Sequence, residues 1–326
     1  MLRRTFIPLL VFLLGIALGF CLRSARQAPA EKATYLRHSL ATNGELTCPL
    51  LEIESPSGGD LALEAVRDEV QSYIKRRLAA NDAAEIAFYL MDLNQGRWVG
   101  INEGKNFAAS LLKIPLLIAI LNKAQVFPEK LTKKIKYETQ AETTPQNITP
   151  SKTLQLGESY TIEELLRFMI IYSDNTAKSL ILENVDQGYL ARVYSDLGLS
   201  VPDFKNPDYL ISLKDFVTYF RVLYSVTYLN KTMSEKALRL LTETEFKDGI
   251  AAGLPPEITV AHKFGERGYP NGTKELHDCG IVYLSKSPYL LGVMTKGRDF
   301  DILKDIVKDI YRIVYRYRSE KGLRMY

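Results

Sequence analysis

From about 123 to 230 the apolar residues of this chain recur mainly at helical spacing, whereas the stretches on either side alternate as strands do. Before that block, 85–92 and 97–101 read as two strands joined through Leu93-Asn94-Gln95-Gly96, a hairpin. After it, strands are expected at 258–265, 277–284 and 289–295, with Asn271-Gly272 marking a turn. Helices bracket the whole. Leu63, Val66, Val70, Ile74 and Leu78 give one over about 61–78, and Ile302, Ile306, Ile310, Ile313 and Tyr317 give a closing one with a single apolar face. Inside the block, Thr161-Ile162-Glu163-Glu164 is a capping box that starts a helix at Leu165-Leu166. Two strands, a helical block, three strands and a last helix describe an α/β (α+β) chain. One sheet belongs to a body of 61–326, and a helical lobe of about 124–235 is inserted in it. A cleft between lobe and sheet is the natural place for a site.

Composition narrows what such a site does. The 326 residues are 46% hydrophobic and 25% charged, as in ordinary globular proteins. A net charge of +4, with no Arg/Lys run interleaved with aromatics, gives no footing for nucleic acid. Lys130, Lys133, Lys134 and Lys136 read as a solvated surface. Met91, Met169 and Met294 read as core, and Trp98 as strand packing. The three histidines, His38, His262 and His277, stand at no metal-ligand spacing. Neither a metal nor another cofactor is expected, a Ser-His-Asp triad has few candidates, and His262 reads as structural.

The N-terminus carries an address. Arg3 and Arg4 precede an uncharged run from Thr5 to Leu22, whose 18 residues reach the lower edge of a membrane span. We read 1–22 as a signal anchor that leaves a monomeric body outside the cytoplasm, with 23–60 as its tether. Secretion after cleavage near Gln27-Ala28-Pro29-Ala30 is the alternative, although Arg23 and Arg26 intervene. An exported body permits a disulfide, and with Cys21 in the membrane the pair left is Cys48 with Cys279.

Three short stretches carry chemistry. In Phe107-Ala108-Ala109-Ser110-Leu111-Leu112-Lys113, serine and lysine stand one helical turn apart and share a face. The apolar run on to Leu121 buries that helix, and Pro115 suits its first turn. A desolvated lysine loses basicity and can take a proton from a neighbouring hydroxyl. Tyr172-Ser173-Asp174-Asn175 offers a hydroxyl and a carboxamide two residues apart. His262-Lys263-Phe264-Gly265-Glu266 ends a strand with a lysine and a glycine. Singly, each is also what a helix cap or an edge-strand charge looks like. In this order, over roughly 61–317, Ser110-x-x-Lys113, Ser173-Asp174-Asn175 and Lys263-x-Gly265 resemble the motifs of class A β-lactamases and the related penicillin-binding proteins.

The resemblance implies a β-lactamase/transpeptidase-like fold: an antiparallel five-stranded sheet flanked by helices, with an inserted all-helical lobe. It also implies roles. Ser110 would attack an amide or lactam carbonyl, and Lys113 would take its proton. Ser173 would relay a proton to the departing nitrogen, biased by the Lys263 cation. Asn175 would donate to the substrate amide, and the backbone N–H groups of Ser110 and Glu266 would form the oxyanion hole. Gly265 would let the strand approach its ligand closely. The partner implied is a small-molecule β-lactam or a peptidoglycan peptide.

Two departures stand beside these matches. Where the family carries a hydroxyl residue between lysine and glycine, this chain has Phe264, which removes a hydrogen bond to a substrate carboxylate. Such a bond is worth about 1.5–3 kcal/mol, and a ring there could narrow the cleft or favour another acyl donor. Class A enzymes also place a glutamate after the second motif to activate the deacylating water. Between Glu183 and Glu235 no glutamate occurs, and the carboxylates of the short loop available are Asp203 and Asp208. Loss of such a base slows its step about 10²–10⁴-fold. The readings are therefore a β-lactamase-like serine hydrolase with slow deacylation, a peptidoglycan D,D-peptidase-like acyl-enzyme, or a degenerate cell-envelope binding protein.

Overall fold

Asp60 accepts hydrogen bonds from Ala62 N and Leu63 N and so caps α1 (Leu61–Ala79), a contact of the kind worth about 0.5–2 kcal/mol. Leu63, Val66, Val70 and Ile74 form its buried face, as the periodicity requires. The computed structural model describes residues 46–47, 60–104, 106–108, 113–140, 146–202, 210–285 and 287–322. Residues 1–22, Cys48 and nearly all of 23–60 lie outside them. No helix among the described residues is long and apolar enough to cross a membrane.

In β1 (Glu85–Asp92) every residue after the first is buried, and alternation divides the side chains between two apolar clusters. Ala87, Tyr89 and Met91 join the one shared with the helical block, and Ile86, Phe88 and Leu90 join the one shared with α1. A turn held by Asp92 Oδ1, which accepts from Asn94 N and Gln95 N, leads to β2 (Trp98–Ile101). Trp98 stacks on Tyr89 with ring centroids 5.3 Å apart.

Next come β3 (Asn106–Ala108) and α2 (Lys113–Ala124), an almost wholly buried helix. The helical block also carries two short ladders that periodicity does not announce. In one, β4 (Lys134–Lys136) pairs with β5 (Ser159–Thr161) and delivers the chain to α3 (Ile162–Ile171), where Thr161 and Glu164 complete the expected capping box. After α4 (Asn175–Asn184) and α5 (Gln187–Asp196), β6 (Leu210–Ser212) pairs with β3. The pair Ala108–Leu210 thus joins the ends of two segments, one leading to Ser110 and the other coming from Asp203 and Asp208. Then α6 (Leu213–Tyr224) and α7 (Lys231–Thr242) complete the block.

The chain returns through β7 (Val260–Gly268), β8 (Lys274–Val282) and β9 (Tyr289–Gly297) to α8 (Phe300–Gly322). The sheet order is β2-β1-β9-β8-β7, antiparallel throughout, with β7 at an edge. Both β7 and β8 extend past their apolar residues. The turn at Tyr269–Thr273, with Gly272 at φ +80°, sets the ladder and carries it into polar Glu266-Arg267-Gly268. Met91, Met169 and Met294 are core. The Cys48–Cys279 bond is not met: Cys279 is a free, buried thiol on β8, its pKa pushed well up by burial. On β8 it faces the apolar cluster beneath the helices.

Candidate active site

Ser173 follows α3 with φ +57°, the left-handed region that non-glycine residues enter at about 1–3 kcal/mol. Its neighbours hold it there. Asp174 N donates to Phe168 O at 3.1 Å, and the Asp174 carboxylate caps α4 by accepting from Ala177 N at 2.8 Å. The tripeptide therefore turns a serine out of one helix, caps the next with the aspartate and opens it with buried Asn175.

Two amines converge on the Ser173 hydroxyl. Lys113 Nζ, at the start of α2, lies 2.8 Å from Ser173 Oγ and also donates to the Ser173 carbonyl. Lys263 Nζ, from β7, lies 2.9 Å from the same Oγ and donates to Phe264 O at 2.9 Å. The three side chains belong to residues only 1%, 3% and 0% exposed for Lys113, Ser173 and Lys263. Among the described residues neither amine has an ion-pair partner. Burial pushes Lys113 well below the ordinary lysine value, and the charges of Lys263 and Lys178 push it further. Burial also brings Lys263 down to about 7, against the opposing pull of Asp278 and Glu266. A neutral amine has a lone pair and an ammonium has only donors. A hydroxyl between one of each accepts from the ammonium and donates to the amine, an arrangement through which a proton can pass.

Lys178 was not singled out by the sequence reading. It stands three residues beyond Asn175, on the same face of α4. It is half-buried, forms no ion pair among the described residues, and is lowered in pKa by burial.

The backbone of β7 faces the lobe along its open edge. His262 O accepts from Thr244 Oγ1 at 2.7 Å, and Phe264 O accepts from Lys263 Nζ. Backbone groups of alternate strand residues point to the same edge, so the Glu266 N–H is directed there as well. Gly265 lies between, paired with His277 of β8. The Glu266 carboxylate accepts from Asn147 N at 2.7 Å and Asn147 Nδ2 at 2.6 Å, while Gln146 Nε2 donates to Ser173 O at 3.1 Å. Residues 146–147 therefore strap the α3–α4 junction to β7. Nothing in their own sequence signals this, since both partners are distant in the chain.

Phe264 turns onto the opposite face of the sheet from Lys263's neighbour Ala261 and stacks on Phe246, centroids 4.3 Å apart and planes at 26°. Its ring centre lies 4.2 Å from Lys263 Nζ. His262 is structural as expected: its Nδ1 lies 2.9 Å from Asp278 Oδ1, and Asp278 Oδ2 accepts from Ile250 N. Ser110, Asp203 and Asp208 lie outside the described residues. Among the described residues no group of three His, Cys, Asp or Glu side chains is disposed to hold a metal ion. A larger cavity of about 420 Å³ lies between α3 and α7, but its rim charges are paired with one another, as Lys236–Glu163 and Arg167–Glu243, which marks it as an interhelical groove.

A serine hydroxyl is thus held between two buried lysines, on a helical block beside the edge of an antiparallel sheet. The sequence profile of the beta-lactamase enzyme family matches residues 69–318, and this chain belongs to that family. It is 24% identical over 244 residues to Beta-lactamase VEB-1 of Pseudomonas aeruginosa, covering 68% of this chain and 79% of that one. Among solved structures it is similar to PBP-A, with TM-score 0.69 and 20% identity over 83% of this chain and 100% of that one. A mutant of PBP-A, solved as an acyl-enzyme complex with penicillin G, gives TM-score 0.68 and 20% identity over 82% and 99%. The β-lactamase/transpeptidase-like fold is thereby established, with eight helices around the sheet among the described residues.

Proposed function

We propose that this β-lactamase-like serine hydrolase forms an acyl-enzyme on Ser110 from an amide or lactam donor. The observation that carries the reading is the pair of buried, unpaired amines on the Ser173 hydroxyl. Ser110 Oγ bonds to the carbonyl carbon while its proton passes to neutral Lys113, and the carbonyl π pair moves onto oxygen. The N–H groups of Ser110 and Glu266 receive that oxyanion, and Asn175 holds the substrate amide. As the carbonyl re-forms, the C–N bond breaks and the nitrogen takes the Ser173 proton. The Lys113 ammonium then restores Ser173, so the proton lost by Ser110 ends on the leaving group. Lys263, charged below about 7, holds Ser173 in place for that transfer.

Deacylation is slow in this reading because no glutamate stands between Glu183 and Glu235 to activate water. That absence equally favours a peptidoglycan D,D-peptidase-like enzyme, for which the acyl group goes to an acceptor other than a glutamate-activated water. The uncharged run from Thr5 to Leu22 supports a membrane anchor and, with it, a body outside the cytoplasm. Incubation with a penicillin, followed by intact mass over time, tests the reading. A persistent adduct on the wild type and none on Ser110→Ala is expected. Rapid clearance with turnover indicates an efficient lactamase, and no adduct at high penicillin leaves the degenerate binding protein.

A further inference from the structure

The side chains that would meet an acyl donor are closed off in this structure. Ser173, Asn175, Lys113 and Lys263 are all buried, yet a departing nitrogen has to reach the Ser173 hydroxyl. A neighbouring contact must therefore give way. Hydrogen bonds join β7 to the helical block at His262 O, which Thr244 reaches, and at Lys263 Nζ, which reaches Ser173; both are buried. They also join it to residues 147–148 at the Glu266 carboxylate, and there the bonds of Asn147 face solvent. Water competes for both partners of such a bond, so it is exchanged at little cost.

The strap that carries Asn147 is anchored to the helical block on either side of that residue. Gln146 Nε2 donates to Ser173 O at 3.1 Å. Beyond Pro150, Ser151 N donates to Glu245 Oε1 at 2.9 Å, and Glu245 N donates to Ile171 O at 2.9 Å. Among the described residues, the hydrogen bonds that tie the strap to the sheet all end on Glu266. They come from Asn147 N at 2.7 Å, Asn147 Nδ2 at 2.6 Å and Ile148 N at 3.4 Å. Gly268 leaves room for this contact, since a Cβ there would come within 3.0 Å of Asn147 Oδ1. Residues 146–150 belong to no helix or strand, so releasing Asn147 breaks no ladder.

We infer that the contact between Asn147 and Glu266 is a gate across the cleft, which an acyl donor opens before it reaches Ser110. The inference rests on the acyl-enzyme reading above. In that reading the Glu266 N–H receives the oxyanion while Ser173 protonates the leaving group. A donor reaching both lies between β7 and the α3–α4 junction, and the strap spans that same interval from Ser173 O to the Glu266 carboxylate. Opening gives the Glu266 carboxylate to water and leaves Ser173, Lys113 and Lys263 where they are. A donor that binds the open form alone has its apparent affinity reduced by the open fraction, while the rate at saturation is untouched. A strap that merely braced the site would act in the opposite sense, because loosening it would slow acylation at saturation.

Acylation of the full-length chain in detergent by graded concentrations of penicillin, followed by intact mass, separates the two. Asn147→Ala should lower the half-saturating penicillin concentration about two- to fivefold, with the saturating rate unchanged. Gly268→Ala crowds the Asn147 side chain from β7 and alters neither Glu266 nor Ser173, and it should shift half-saturation in the same direction. A saturating rate that falls in Asn147→Ala, or a half-saturation unmoved in both variants, overturns the gate while leaving the acyl-enzyme reading intact. Failure of penicillin to acylate the wild type and both variants overturns that reading and the gate with it.

Discussion

His262 and Lys263 are neighbours on β7, both fully buried, and they differ in what surrounds them. His262 points to the side shared with α1 and α8 and meets a carboxylate, Asp278, which also accepts from Ile250 N. Its Nε2 has no partner among the described residues. Lys263 points to the lobe and meets a hydroxyl that already receives a second lysine. One residue apart, the same strand buries a hydrogen-bonded imidazole and carboxylate on one face and, on the other, two lysine amines that share a hydroxyl. Matched burial is a structural device. Burying two amines without a carboxylate partner lowers their basicity at a stability penalty, and such perturbation concentrates at functional sites.

The largest effect that can break this contrast is on rate. Lys113→Met should lower acylation by penicillin about 10²–10⁴-fold while raising thermal stability. Unchanged acylation, read by intact mass, would assign the base elsewhere. On the opposite face, Asp278→Ala strands His262 and Ile250 N, and should destabilise by about 3–5 kcal/mol in denaturant unfolding. Acylation by the fraction still folded should persist. A stable Asp278→Ala chain would remove the matched half of the comparison.

Lys263 gives a pH test whose sign follows from its shift. The unfolded side chain keeps its proton to the ordinary 10.5, and the folded one releases it at about 7. Between those values the unfolded chain binds more protons, so this group destabilises fully below about 7 and the penalty fades as pH rises toward 10.5. Lys263→Met should accordingly raise Tm at pH 6 by roughly 3–8 °C, with the gap closing by pH 10. The acylation rate should fall as pH rises through about 7, and Lys263→Arg, which keeps its charge, should flatten that limb. The smallest effect expected is that of Glu266→Gln, which weakens the strap from 146–147. Its exposed contacts limit the loss to about 1 kcal/mol, read as a small drop in Tm.

What the sequence made legible was mostly local. The capping box at Thr161, the alternation of β1 and the face of α1 are properties of neighbouring residues, and each stands where periodicity puts it. Lys113, Ser173 and Lys263, drawn from three distant stretches, were readable together only as a set of motifs in order. Lys178 was available from its one-turn spacing to Asn175 but has no motif to advertise it. The strap of Gln146 and Asn147, the β3–β6 ladder and the turning of Phe264 onto Phe246 depend on partners far along the chain, which no local period encodes. The Cys48–Cys279 pairing failed for a related reason: counting cysteines gives no contact, and Cys279 is a free thiol in the core.

The central claim is that two amines of lowered basicity share one hydroxyl. A lysine ¹⁵N NMR titration of the body, with Lys113→Met and Lys263→Met assigning the two signals, measures this directly. The account predicts that both amines titrate below 10.5, Lys263 near about 7, with Lys113 moving upward when Lys263 is removed. Two independent titrations near 10.5, unaffected by either substitution, would contradict it.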